Sequence, residues 1–463
     1  MGTSVDLGPG PYHFVGVGGY GMSGLAFVLH RLGYPVTGCD LADSRRMSWL
    51  SGQGISISLG HSPAHLIGAA SLVYSTDIPS NHPEILAARS AGIPLWHRSD
   101  ILARLIDGYA DSIAVTGTHG KTSTTALMDG ILRAAKVSAT TLVGGEIDGY
   151  GATARMDGKD LLLAEACESD GTFLQYRPKY WIVNNIEPEH LEFYDGDFAQ
   201  QTEAFRRAIH HGKPGGAVVL NYDDSVLRTL RFDESRTIIW CSCQTPQGTD
   251  YYADVLDSAS GALRFRVWRR QQSLGVFQIP ATGVHMVTNA LHAVALADRL
   301  QLDISDIRLG LSKYSGVKRR FEVVGTRDGV TVVDDYAHHP TEIEATLRAA
   351  RTLTKGRLLA VFQPQRYTRT QHLMEEFGRA FQQADALILM PIYSPAGQKP
   401  IPGVSTARLA DRISVRSEVS VSIMARPEEI IRNLRQGARS GDVILTLGAG
   451  DIWKIAERLV ADW

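Results

Sequence analysis

The chain has 463 residues, 44% hydrophobic and 21% charged, the balance of a folded globular protein too long for one ordinary core. A net charge of −2 leaves no electrostatic footprint for nucleic acid or for an anionic membrane. Four cysteines without a C-x-x-C pair argue against a disulfide framework and against a structural zinc.

The first ten residues lack a basic region followed by an apolar one, and Asp6 stands where a myristoylation pattern needs Ser or Thr. No apolar run approaches a membrane span, so a cytoplasmic protein is expected. From His13 an apolar strand runs straight into Gly16, Gly18 and Gly21, which satisfy G-x-G-x-x-G. A helix through Leu25, Ala26, Val28 and Leu29 follows, then a strand ending at Asp40. This is a βαβ unit whose glycines admit a pyrophosphate to a helix N-terminus, with an acid where a ribose hydroxyl is gripped. On spacing alone the nearest reading is a nicotinamide-dinucleotide site, and an NAD-dependent dehydrogenase is the alternative from a different class. Strand, helix and strand patterns at 71–76, 82–91 and 92–96 continue the α/β alternation to a first boundary near 108.

The stretch 112–128 organises the rest. Ile113–Val115 reads as a buried strand, Gly117 and Gly120 bracket a loop, and a helix begins at Thr122 with Ala126 and Leu127 turned inward. The helix dipole and first-turn N–H groups favour an anion there. Lys121 reaches the β/γ-phosphates and the Thr122 hydroxyl holds Mg2+ in such a cradle. The spacing departs from G-x-x-x-x-G-K-S/T, because Val115 occupies the first glycine position.

Strands at 160–165, 180–185 and 216–221 then alternate with helical patterns and predict a second, largely parallel sheet. Two of them end in polar clusters, Glu165 with Glu168 and Asp170, and Asn184 through His190. One or two of those carboxylates suffice for Mg2+. Residues 237–280 read as an antiparallel flap, followed by a helix over 289–300 and the basic Lys318–Arg320 before a second boundary near 321. In the last third, strands at 331–335, 357–362, 386–390 and 442–447 carry Asp334–Glu342 and Phe362–Arg369 at their ends. Arg366 and Arg369 suit bidentate contacts to carboxylate or phosphate. The expected architecture is three α/β domains in series: a Rossmann-like domain (1–108), a P-loop-type ATPase domain with a mostly parallel sheet (109–320) and a second Rossmann-like domain (321–463).

Gly-Thr-His-Gly-Lys-Thr at 117–122, Asp-Asp-Tyr-Ala-His-His-Pro-Thr-Glu at 334–342 and Phe-Gln-Pro-Gln-Arg-Tyr-Thr-Arg-Thr at 362–370 occur in that order. With the stretches at 16–26, 165–173 and 184–191, they make nearly the whole chain resemble the Mur ligase family. The resemblance implies that the first domain binds a UDP-sugar rather than NAD, through Gly18, Gly19, Gly21, Met22, Ser23 and Asp40. It implies ATP at Gly117, Thr118, His119, Gly120, Lys121, Thr122 and Ser123. His285 and Asn289 then lie near the adenine, Asp335 near the ribose, and Arg320 among the nucleotide contacts.

Thr122 and Glu165 would hold one Mg2+ and His190 would help hold a second, with Tyr336, His338 and Arg366 near the substrate carboxylate and the incoming amino acid. Lys121, His190, His338 and Arg366 form the expected catalytic set. The implied reaction joins the lactyl carboxylate of UDP-N-acetylmuramic acid to L-alanine through an acyl phosphate, giving ADP and phosphate, in a monomer or homodimer. A ligase attaching a whole tripeptide to the same sugar is the alternative within the family. Met286, Cys167, Gln365 and Glu189 depart from the family's usual Asn, Asp, His and Asp.

Overall fold

The computed structural model describes residues 5–147, 152–232, 236–258, 261–394, 399–461 and 463. The chain divides into two compact units, Met1–Asp257 with Arg264–Pro280 and Val287–Ser315, and Ser258–Leu263 with Ala281–Met286 and Gly316–Trp463.

The first unit holds two sheets. Strands β1 (Tyr12–Val15), β2 (Val36–Asp40), β3 (Ser56–Leu59), β4 (Ser71–Tyr74) and β5 (Leu95–His97) form a sheet in the order β3-β2-β1-β4-β5, parallel throughout. The strand order reverses beside β1, which leads into the glycine loop, so that loop opens at the crevice where α/β sheets take their ligands. Its helix, Tyr20–Arg31, buries Leu25, Ala26, Val28 and Leu29. The same helix packs closely on the neighbouring sheet, where a Cβ at Gly24 would lie 3.1 Å from Leu142.

The second sheet comprises β6 (Asp111–Thr116), β7 (Ala139–Ile147), β8 (Ala152–Met156), β9 (Leu161–Glu165), β10 (Tyr180–Val183) and β11 (Ala217–Asn221), with β12 (Thr237–Ser242), β13 (Tyr251–Asp257), β14 (Leu263–Arg269) and β15 (Gln272–Ile279). Its order is β15-β14-β13-β12-β11-β10-β6-β9-β7-β8. β6 is therefore central, flanked by parallel β10 and β9, and all three strands end on the side that carries the phosphate-loop candidates. The expected antiparallel flap is corrected for its first half. β12 and β13 pair in parallel with the sheet and the antiparallel pairing begins at β13/β14, so 237–280 extends the sheet. The extension covers the edge that β11 would otherwise leave as a row of unpaired N–H and C=O groups.

In the second unit β16 (Glu322–Arg327), β17 (Val330–Asp335), β18 (Leu358–Phe362), β19 (Ala386–Leu389), β20 (Ser420–Ile423) and β21 (Val443–Leu447) assemble as β16-β17-β21-β18-β19-β20. Only the β16 edge is antiparallel. Both faces are covered, one by a cluster with Phe362, Phe377 and Phe381 and the other by one with Ile430, Ile455 and Leu459. That is why its central strands read as continuous apolar runs. Three mostly parallel α/β sheets in series match the expected fold class.

Element ends shift for local reasons. The strand expected at 92–96 forms only over Leu95–His97, because Gly92 has a φ of +67° and Pro94 has no N–H to donate. The helix expected from 289 begins at His285.

Candidate active site

Gly120 ends the β6 loop at a φ of +77° and is followed by the helix Lys121–Ala134. Gly117 sits at φ +131°, with the backbone of Asn184 and Asn185 3.1 Å from where a Cβ would stand. Both positions exclude a side chain, which accounts for the glycines the sequence placed there. The loop is anchored to the end of β10. Thr118 N donates to Asn185 O at 3.1 Å, His119 N to Asn185 Oδ1 at 2.7 Å, and Asn184 Nδ2 to His119 O at 3.1 Å. Thr118 Oγ1 accepts from Glu187 N at 2.8 Å. A buried histidine, His292, lies with Nδ1 3.0 Å from Asn184 Oδ1, and burial pulls its pKa down to about 3, so the ring is neutral. Asn184, Asn185 and His292 thus shape the loop. The two asparagines carried a signal as a polar pair at a strand end, whereas His292 carried none.

Lys121 Nζ donates to Gly117 O at 2.6 Å and Thr118 O at 3.0 Å, and stands 2.9 Å from Glu168 Oε2. Burial alone would lower its pKa, but Glu168 and Glu165 outweigh that and raise it, so the ammonium is charged at every working pH. Thr122 and Ser123 are buried in the first helical turn. Glu165, at the end of β9, accepts a hydrogen bond from Gly144 N at 2.9 Å. A Cβ at Gly144 would lie 2.6 Å from both carboxylate oxygens, so the backbone there is bare to admit the carboxylate. Asn289 is buried on the helix His285–Arg299, with its Oδ1 2.7 Å from the Cβ position of Gly120, while His285 is exposed at the start of that helix. His190 takes a left-handed φ of +54° and its Nδ1 lies 3.9 Å from Glu192.

At the first glycine loop, Asp40 Oδ2 accepts from Gly18 N at 2.9 Å and its Oδ1 from Leu41 N at 2.7 Å. Asp40 therefore braces the loop itself. Met22 and Ser23 are buried, and Ser23 Oγ lies 3.0 Å from Thr153 Oγ1. Gly19 opens the helix in an extended conformation, and a Cβ on Gly21 would stand 3.4 Å from Arg98. Arg46, for which the sequence offered no signal, bonds Gly18 O, covers the Tyr20 ring at 4.1 Å and pairs with Glu146 at 2.7 Å.

In the second unit, Asp335 at the end of β17 accepts from Phe321 N and Ala337 N, both at 2.7 Å, and burial pushes its pKa up to about 6 despite Arg320 nearby. The Tyr336 ring lies under Arg319 and Arg320, at 5.1 and 5.0 Å. His338 Nδ1 lies 2.9 Å from Tyr336 O. A carbonyl only accepts, so Nδ1 carries the hydrogen and Nε2 is the basic nitrogen. Arg366 holds a φ of +68° after β18, its N–H bonded to Tyr393 O at 2.9 Å. Non-glycine residues persist in such conformations where the surroundings over-determine them, often at functional positions.

A lysine held at a helix N-terminus, beside a strand that ends in carboxylates, is the arrangement of a nucleotide-phosphate site. The Mur ligase family catalytic domain matches residues 11–110, the Mur ligase middle domain 115–297 and the Mur ligase glutamate ligase domain 319–450. The chain belongs to the Mur ligase family. Among its relatives, the UDP-N-acetylmuramate–L-alanine ligase of Symbiobacterium thermophilum is 43% identical over 96% of this chain and 93% of that one. The ligase of the same name from Anaeromyxobacter dehalogenans is 40% identical over 97% of both. A crystal structure of UDP-N-acetylmuramate-alanine ligase from Thermotoga maritima superposes with a TM-score of 0.82, at 26% identity over 98% of this chain and 99% of that one. A murein peptide ligase from Psychrobacter arcticus superposes at 0.72, with 25% identity over 97% and 98%.

Proposed function

We infer that this protein is an ATP-dependent ligase that joins L-alanine to the lactyl carboxylate of UDP-N-acetylmuramic acid in peptidoglycan precursor synthesis, releasing ADP and phosphate. The observation that carries the reading is the loop 117–122, with Lys121 Nζ held beneath it, in a chain matched end to end by L-alanine ligases. In the first step the carboxylate attacks the γ-phosphate and forms an acyl phosphate; in the second the neutral amine of alanine attacks the acyl carbon and phosphate leaves. Charge develops on oxygen in both, so the Lys121 ammonium and the helix N-terminus at Lys121–Ala134 are aimed where stabilisation is worth most.

Thr122 and Glu165 suit Mg2+, since both offer hard oxygen donors and Gly144 leaves room for the carboxylate. The ion, when bound, supplies Lewis-acid neutralisation of phosphate charge. We assign His190 to a second ion, and Gly117 through Ser123, His285, Asn289, Arg320 and Asp335 to the nucleotide. Gly18, Gly19, Gly21, Met22, Ser23 and Asp40 are assigned to the UDP-sugar. Tyr336 and Arg366 are assigned to its carboxylate, and His338, through Nε2, to the amine proton. The proposed domains are 1–108, 109–320 and 321–463. Among the described residues no helix is long and apolar enough to cross a membrane, in keeping with a cytoplasmic enzyme.

The deciding assay measures phosphate release with UDP-N-acetylmuramic acid and ATP against a panel of L-alanine, glycine, L-serine and the tripeptide L-alanyl-γ-D-glutamyl-meso-diaminopimelate. L-Alanine is expected to give the highest kcat/KM. A preference for the tripeptide would move the protein to the recycling branch of the family.

A further inference from the structure

One cluster in the first sheet has no part in the ligase reading. His13 on β1, Cys39 on β2, His65 after β3 and Glu84 in the helix Pro83–Ser90 each direct a donor atom at one point, all within 4.8 Å of one another. Cys39 Sγ stands 3.4 Å from His13 Nε2 and 3.3 Å from Glu84 Oε2, while Glu84 Oε1 lies 2.9 Å from His65 Nδ1 and 4.0 Å from His13 Nε2. Bonds of ~2.0–2.3 Å to a tetrahedral zinc place its ligand atoms about 3.3–3.8 Å apart. The cluster is thus close to the dimensions of a first coordination sphere.

We propose that His13, Cys39, His65 and Glu84 form a four-coordinate site for a divalent zinc-class ion. Three further observations support it. Cys39 and Glu84 are fully buried and His13 is 1% exposed, so a carboxylate and a potential thiolate sit where only a cation or a proton can balance them. His13 Nδ1 lies 2.8 Å from Thr37 Oγ1. With Nδ1–H donating to that hydroxyl, the Nε2 lone pair faces Cys39, the outer-shell arrangement that orients metal-bound histidines. Glu84 Oε1 in turn accepts from Ser62 N at 2.9 Å.

A mixed sulfur, nitrogen and oxygen donor set selects zinc over magnesium or calcium. Four protein ligands leave no open position, which makes the site structural. On binding, the Cys39 thiol transfers its proton to solvent and the thiolate sulfur bonds the ion. His61 Nδ1 lies 3.2 Å from Cys39 Sγ and 3.4 Å from Glu84 Oε2, and its ring packs edge-on against His82 at 4.5 Å. The ion would clasp four segments that no sequence spacing links. Cys39 O also accepts from Gly16 N and Val17 N, so the clasp extends to the base of the glycine loop.

The test uses the full chain, stripped with chelator, without nucleotide, titrated with cobalt(II) and then zinc. One cobalt per chain is expected, with intense tetrahedral d–d bands and a thiolate charge-transfer absorption that zinc abolishes. Cys39→Ser should remove the charge-transfer band and weaken binding by more than the ~10–100-fold typical of outer-shell changes. If Cys39→Ser does not fold, His65→Gln, at a partly exposed position, should weaken cobalt binding while Ser62 N still bonds Glu84. Failure of the wild-type chain to take up one equivalent would overturn the proposal. So would a charge-transfer band that survives Cys39→Ser, since it would then come from Cys167, Cys241 or Cys243, or cobalt binding undiminished in His65→Gln.

Discussion

Replacing Lys121 with alanine removes a phosphate ligand and strands a buried carboxylate, and the two effects are separable. Glu168 is 1% exposed on its side chain and Lys121 13%, with 2.9 Å between Nζ and Oε2. At an effective dielectric near 20, unit charges at that separation attract by about 5–6 kcal/mol. Removal of one partner from a buried pair costs about 3–5 kcal/mol, because the other is left desolvated and uncompensated. Lys121→Ala should therefore abolish phosphate release and also lower the unfolding free energy of the first unit by about 3–5 kcal/mol. The double variant Lys121→Ala/Glu168→Gln replaces the stranded charge with a neutral amide. It should recover most of the stability and none of the activity. Urea unfolding followed by tryptophan fluorescence measures the first quantity, and phosphate release with UDP-N-acetylmuramic acid, ATP and L-alanine measures the second. Wild-type stability in the single variant would refute the buried pair, and phosphate release by the double variant would refute the role of Lys121 in catalysis.

Gly120→Ala forces a Cβ to 2.7 Å from Asn289 Oδ1 at a φ of +77°. The left-handed conformation costs ~1–2 kcal/mol, and displaced amides cost about 1 kcal/mol for each lost hydrogen bond; the KM for ATP should rise at least about tenfold, checked by steady-state kinetics. Arg46→Ala removes the pair with Glu146 and the bond to Gly18 O. Its KM for the UDP-sugar should rise by a factor reflecting about 1–2 kcal/mol, with kcat nearly unchanged. His292 has a folded pKa near 3 against an ordinary 6.5, so its contribution to stability is complete above pH 6.5 and is lost as pH falls toward 3. The first unit should lose up to about 1.4 kcal/mol per pH unit through this residue, and in His292→Asn the urea midpoint between pH 6.5 and 4 should depend less on pH. An unchanged pH slope would show that His292 is not the buried neutral ring described.

The amino-acid sequence alone determined what depends on neighbours a few residues apart. The strand–loop–helix at 113–128 was legible because Gly117 and Gly120 must take positive φ between an apolar strand and an amphipathic helix, and Lys121 follows at fixed spacing. The same holds for the glycine loop at 16–21 and for the polar clusters closing β9, β10, β17 and β18. Pairing between distant segments was decided only by the tertiary structure. Lys121 against Glu168, Asn184 against His292, Arg46 against Glu146 and Asp40 against Gly18 are each set by which strands lie side by side and how close a helix can approach. The extension of the sheet through β12 and β13 was equally out of reach, because local periodicity carries the pleat of a strand and not its partner. Cys39 shows the division most sharply. In the chain it is one thiol without a C-x-x-C neighbour; in the fold, packing β1, β2 and the helix Pro83–Ser90 together surrounds it with His13, His65 and Glu84.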